Sequence, residues 1–239
     1  MPPRDASFDV GVFAIKANDI RAAAEQVRDA GVSLRVAVSL CNGIEGKSEL
    51  GLALDCDATE CLAGVTYMGA ALQADGSIAQ TGTGPTVAER PRSVTLPALF
   101  PTWEWTDGDV DALLWHKLLA NAVINPLTAI WRVRNGALLD SPERLRVATA
   151  LCDEFMRVAD ARGVHIDLGA GTAIDLVRAV CDRTAANTSS MRVDVERGRR
   201  TEVDFITGAV LRQAELAGLP PPPTHAIMLD LIRGYIHTR

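Results

Sequence analysis

Between Trp115 and Trp131 the chain reads Trp-His-Lys-Leu-Leu-Ala-Asn-Ala-Val-Ile-Asn-Pro-Leu-Thr-Ala-Ile-Trp, a helical stretch that is apolar on almost every side. Lys117, Asn121 and Asn125 interrupt it every four residues. Successive helical residues turn by about 100°, so the three share one face. Flanks such as Leu118, Leu119, Ala122, Val123 and Ile124 belong in a core, so the helix must be surrounded by other elements. A Lys and two Asn buried without partners would carry a heavy desolvation penalty, so the stripe is expected to line a cavity that holds something polar. It is too sparsely charged to be an ordinary solvated face. Pro126 removes one backbone bond from the helix and disturbs the turn around Asn125.

The length of 239 residues suits two small domains, and 48% hydrophobic with 23% charged residues excludes disordered and fibrous classes. A net charge of −6 gives no footprint for nucleic acid; the arginines from Arg197 to Arg200 are offset by Asp194, Glu196, Glu202 and Asp204. Five cysteines are an odd count without tight pairing. Cys56 and Cys61 lack the spacing of a zinc site, so Cys41, Cys56, Cys61, Cys152 and Cys181 are all read as reduced thiols and no metal is expected. The N-terminus carries no signal core and no apolar run is long enough to span a bilayer, which makes the cytoplasm the expected address and leaves no role for a membrane.

Residues 9–15 form a short apolar run, followed by Lys16 and a helical stretch over 17–30 that Gly31 closes. Residues 34–40 read as the next strand, and Asn42-Gly43 as the turn after it. This β-α-β order predicts a parallel sheet whose ligands gather at the carboxyl ends of its strands, where Lys16 and Asn42 fall. Further strands and turns are expected over 64–68 and 81–85, ending near Pro101. Beyond Asp107 the pattern is all-α, with helix starts at Thr106, Ser141 and Thr224 and stops at Gly163 and Gly218. The fold class is therefore α/β plus all-α, with domains over 1–106 and 107–239.

Phosphate-binding motifs are incomplete. Gly46-Lys47-Ser48 has Cys41 where a P-loop needs its first Gly, and Gly82-Thr-Gly84 and Gly169-Ala-Gly171 run into Val87 and Ile174 where a dinucleotide fingerprint needs its third. The four histidines are scattered and read as surface or packing residues. Ser189-Ser190-Met191 and Thr201-Glu202 put short hydroxyls before a helix start whose amides can hold an anion; with the Lys117 stripe they suggest a pocket for an oxyacid.

Lys117-Leu-Leu-Ala-Asn121-Ala-Val-Ile-Asn125-Pro-Leu-Thr-Ala-Ile, then Asn135-Gly136, then Ser189-Ser190-Met191 with Thr201-Glu202, resembles the ketopantoate reductase family over nearly the whole chain. The resemblance implies a Rossmann domain followed by a helical domain, with substrate in the cleft between them. It implies NADPH-dependent reduction of ketopantoate (2-dehydropantoate), or a closely related 2-keto acid, on the route to pantothenate and coenzyme A. By the same resemblance Lys117 is the general acid that protonates the alkoxide. Asn121, Asn125, Asn135 and Ser190 fall at substrate-binding positions, and Asn42 at one shared by substrate and cofactor. Lys16 and Ala70 fall at cofactor contacts; Glu202 meets the cofactor and influences Lys117. A homodimer is compatible with it.

In that family the first strand and the Gly-rich G-x-G-x-x-G turn precede the segment that begins here at Asp9. A βαβ unit takes about 30 residues and eight lie upstream, so this chain is expected to carry an N-terminally truncated Rossmann-like sheet without the pyrophosphate cradle and with an exposed apolar edge at residues 9–15. Two readings follow: a reductase, or a non-catalytic relative of the same fold that binds a keto acid or a partner subunit.

Overall fold

The computed structural model describes residues 4–54, 57–73, 75–95 and 102–237. The chain divides into two compact units, Met1–Leu114 and Trp115–Arg239.

The first unit is built on a sheet of order β1-β2-β3-β6-β7, from β1 (Ser7–Phe13), β2 (Ser33–Ser39), β3 (Glu60–Thr66), β6 (Thr86–Glu89) and β7 (Trp103–Thr106). β4 (Gly69–Leu72) and β5 (Ile78–Gly82) form a separate antiparallel pair. Helix α1 (Ile20–Asp29) connects β1 to β2, and α2 (Gly46–Ala53) connects β2 to β3. β1, β2 and β3 pair in parallel, as the β-α-β pattern requires. β6 then meets β3 antiparallel, with the Thr66 and Thr86 hydroxyls 2.8 Å apart across the strands. The core between the strands is Val36, Val38, Leu62 and Ala88. β1 is an edge strand, and Phe8 and Val12 are exposed along it.

The first helix and its flanking strands lie within two or three residues of their sequence-expected positions, and the later expectations need correction. The strand expected at 64–68 starts earlier, at Glu60, and part of the stretch expected as turns over 81–85 belongs to β5. Thr106 ends β7 and does not start a helix: its hydroxyl accepts the Gly108 amide in a turn, and Asp109 Oδ1 accepts the Ala112 amide at 3.0 Å to cap the helix that follows. The alternating Trp-Glu-Trp-Thr segment makes a strand because Trp103 and Trp105 share a face and pack against the sheet core. The strand ending expected near Pro101 lies outside the described residues.

Helix α3 (Val110–Trp131) begins in the first unit, where Val110 and Leu114 pack with Ala63 and Val65 of β3. The second unit holds the rest of α3 with α4 (Pro142–Ala161), α5 (Ala173–Arg183), α6 (Ser190–Glu196), α7 (Val203–Leu216) and α8 (Pro223–His237). Trp115 meets Phe155 of α4 edge to face at 5.6 Å. Ser141 caps α4, accepting the Arg144 amide, and Gly163 and Gly218 stop their helices at φ +70° and +69°. Cys41, Cys61, Cys152 and Cys181 form no disulfide; Cys56 lies outside the described residues. Among the described residues no helix is long and apolar enough to cross a membrane.

The start of α8 is held from α4. Glu154 accepts the Thr224 amide (2.9 Å), the Thr224 hydroxyl (2.6 Å) and the His225 amide (3.1 Å), and its Oε2 lies 3.0 Å from His225 Nδ1. The cap is thus a buried carboxylate supplied by another helix, not the Thr224 side chain expected from sequence. Burial alone would push the Glu154 carboxyl up, but hydrogen bonds from His225 and Thr224 outweigh it and hold the group at about 2.

Glu154→Ala is expected to destabilise the chain by about 3 kcal/mol in urea unfolding, because it strands buried donors. The folded carboxyl titrates below its ordinary 4.5, so its contribution is present above pH 4.5 and is lost as pH falls toward 2. Acid unfolding of Glu154→Gln should lack that loss; an acid limb identical to the wild type would show that the anchor does not act this way.

Candidate active site

The residues singled out in the sequence fall into two groups. Lys16, Asn42 and Ala70 lie in the first unit, whereas Lys117, Asn121, Asn125, Asn135, Ser190 and Glu202 lie in the second.

In the first unit, Lys16 follows the carboxyl end of β1 and precedes a single 3-10 turn, Ala17–Asp19. Asn42 follows the carboxyl end of β2, beside Gly43 at φ +90°. Both are half-buried, at the ends of parallel strands where such sheets bind ligands. Ala70 lies in β4, exposed and next to a register shift at Gly69.

In the second unit, α3 carries the polar stripe through an apolar shell. Leu118, Leu119, Ala122, Val123, Ile124 and Leu127 are buried, Lys117 and Asn121 are half-buried, and Asn125 is buried. Although part of Lys117 reaches the surface, burial of its ammonium pulls the pKa down to about 8, against the opposing field of Glu202. Glu202 is itself buried, at the N-cap position of α7. The pair is a primary amine that holds a proton near neutral pH and releases it readily, next to a carboxylate that steadies the charged form.

Asn135 opens a short 3-10 turn, Asn135–Ala137, whose amides bond to the segment before α6: Asn135 N donates to Asn187 O and Gly136 N to Ala185 O. A Cβ on Gly136 would come within 2.6 Å of the Ala185 Cβ, so only glycine permits this approach. Thr184 gives its hydroxyl proton to Val180 O at 2.7 Å and so accepts from Asn135 Nδ2 at 2.9 Å. That fixes the amide orientation and leaves Asn135 Oδ1 buried with no partner among the described residues. Ser190 is the first residue of α6 and is exposed. Ser189 caps the helix, accepting the Arg192 amide, and its carbonyl takes the Val193 amide, so these two amides are not open to the anion that the sequence suggested.

Sequence reasoning missed Thr184 and Thr128, and it took Ser189 for an anion-binding hydroxyl before a helix, not for a partner of α3. Thr128 is fully buried on α3, with Oγ1 2.7 Å from Ile124 O, 3.2 Å from Asn125 O and 2.7 Å from Ser189 Oγ. A buried Thr in an apolar helix was the available signal.

Comparison with known proteins agrees with this layout. Residues 109–236 match the family described as Ketopantoate reductase PanE/ApbA C terminal, and residues 2–92 match Ketopantoate reductase PanE/ApbA. The 2-dehydropantoate 2-reductase of Archaeoglobus fulgidus is 36% identical over 241 residues, covering 97% of this chain and 77% of that protein. The chain belongs to the ketopantoate reductase family. This is a family of nicotinamide-dependent oxidoreductases, and the parallel-dominated sheet followed by a helical unit is its fold. A crystal structure of a PanE/ApbA family ketopantoate reductase from Ralstonia eutropha superposes with a TM-score of 0.85 at 26% identity, covering 98% of this chain and 77% of that one. A D-mandelate dehydrogenase solved with NADH and anilino(oxo)acetate shares the fold at TM-score 0.78 and 17% identity, over 97% of this chain and 77% of its own.

Because Glu202 favours the charged ammonium, Glu202→Gln should lower the Lys117 pKa below about 8. An NMR titration of the Lys117 ammonium reads this directly; a midpoint that does not move would remove Glu202 from that role.

Proposed function

We propose that this chain belongs to an NADPH-dependent 2-dehydropantoate 2-reductase, which reduces ketopantoate to pantoate with Lys117 as the proton donor. The observation that carries the reading is the desolvated Lys117 ammonium near buried Glu202, on a helix that carries Asn121 and Asn125 on the same face. For the dinucleotide the first unit offers Lys16 and Asn42, an ammonium and an amide that would hold it at the carboxyl ends of adjacent parallel strands. By family resemblance Ala70 and Glu202 are further cofactor contacts. When bound, NADPH supplies the hydride that reduces the keto carbon.

The work of the chain's own residues is to bind and to move a proton. Lys117 gives its proton to the carbonyl oxygen as negative charge develops there, leaving a neutral amine that solvent reprotonates. Asn121 and Asn125 offer amides along the same face of α3, and Ser190 an exposed hydroxyl, suited to a carboxylate and hydroxyls. Asn135 Oδ1 has only an acceptor left to give, which suits a substrate hydroxyl. Ketopantoate carries one besides its keto acid group.

Titration with NADPH, followed by nucleotide fluorescence with and without ketopantoate, should show saturable binding strengthened by the keto acid, and ketopantoate-dependent loss of NADPH absorbance should follow. A folded chain that does neither overturns the reading. Lys117→Ala should lower turnover by about 10²- to 10⁴-fold without unfolding the chain. Only the protonated amine can act, so wild-type reduction should fall as pH rises through about 8. Full activity in Lys117→Ala, or a rate flat across that range, would exclude the role.

A further inference from the structure

We propose that the buried hydroxyl pair Thr128–Ser189 is a positioning device that sets Asn125 against Ser190, and so governs keto acid binding. This rests on the reductase reading above for what is bound, and on the geometry of the pair for how.

Each hydroxyl already has a local partner. Thr128 Oγ1 reaches Ile124 O at 2.7 Å within its own helix, and Ser189 Oγ accepts the Arg192 amide at 3.2 Å. The two lie 2.7 Å apart across 61 residues of sequence, and with the Thr128 proton on Ile124 O the Ser189 hydroxyl donates to Thr128 Oγ1. Leu127 and Met191, close to them in sequence, are buried apolar residues, and replacing both hydroxyls together by apolar groups of the same shape would cost little stability. What a bond between two hydroxyls adds is direction, because it is satisfied at one separation and one rotation of α6 against α3.

Its ends lie at two of the residues expected to hold substrate. Thr128 Oγ1 is 3.2 Å from the carbonyl of Asn125, and Ser189 is covalently joined to Ser190. The turn of α3 that carries Asn125 is one bond short: Pro126 has no amide to give to Ala122 O, and the Thr128 hydroxyl binds the Ile124 and Asn125 carbonyls beyond it. With both hydroxyls in place, the Asn125 amide and the Ser190 hydroxyl keep one spacing; without them, each is held only by its own helix.

The test compares Thr128→Val, which keeps the shape and removes the hydroxyl, with Thr128→Ser, which keeps the hydroxyl. Thr128→Val should raise the KM for ketopantoate about ten-fold with kcat and the KM for NADPH within two-fold, and Thr128→Ser should restore it. Ser189→Ala should raise the same KM, and the double variant should be no worse than the worse single one, since both delete one bond. In ligand-free protein, the Asn125 side-chain amide and Ser190 backbone amide NMR signals should shift or broaden in Thr128→Val and not in Thr128→Ser. Additive effects, an unchanged ketopantoate KM in an active Thr128→Val enzyme, or equal effects of Val and Ser would overturn the proposal. If the wild type does not reduce ketopantoate, the reductase reading fails, and the NMR comparison still decides whether the pair positions the two residues.

Discussion

The second unit is organised by one constraint: α3 carries polar side chains through an apolar shell, so each must find a partner that reaches it there. The partners of Lys117 and Thr128 come from the stretch between Thr184 and Glu202. Glu202 provides the charge that favours the Lys117 ammonium, Ser189 meets Thr128, and Thr184, Ala185 and Asn187 fasten the turn that begins at Asn135. This stretch is short of regular structure because its work is to present groups to α3 and its following turn. Its one helix, α6, is seven residues long and is capped by Ser189, the residue that touches α3.

Lys117 is held at some expense to the fold. Its pKa of about 8 lies below the ordinary 10.5, so the native state favours the neutral amine more than the unfolded chain does. Between pH 8 and 10.5 the unfolded chain binds more protons, and stability contributed by this group rises with pH; at neutral pH the charged form is a burden. The unit can carry it because rigidity is secured elsewhere. Glu154 ties α4 to α8 through the Thr224 and His225 donors, a polar anchor built from residues outside the α3 stripe. Strain near a site and stabilisation away from it are the expected division of labour.

What the sequence made legible follows from which signals are local. β1 and β2 were visible because each is a short apolar run, and the Lys117 stripe because its spacing matches a helical turn. β7 was obscured because the Trp103–Thr106 segment is short and lies just before an N-cap, so its threonine reads as a helix start. The pairing of Thr128 with Ser189 was invisible for a different reason. A threonine bonded back to its own helix and a serine at an N-cap are both complete locally, and only the contact across 61 residues gives them a joint meaning. The roles of Asn135 and Ser190 came from family resemblance, since nothing in their spacing indicates which atom each presents.

A cavity of about 440 Å³ opens at the amino ends of β1 and β2, where Arg28 and Arg35 give it a basic look. Those guanidiniums are already engaged: Arg28 donates to Asp29 and to Ala53 O, and Arg35 to Asp9 and Ser93 O. Lys16 and Asn42 stand at the opposite, carboxyl ends of the same strands. In a parallel sheet the strands lead into their connecting helices at that end, where loop backbone and helix N-termini converge on a bound group, and the amino end offers no such convergence. The polarity of the strands therefore favours the carboxyl ends of β1 and β2, where Lys16 and Asn42 stand, as the ligand side of the first unit.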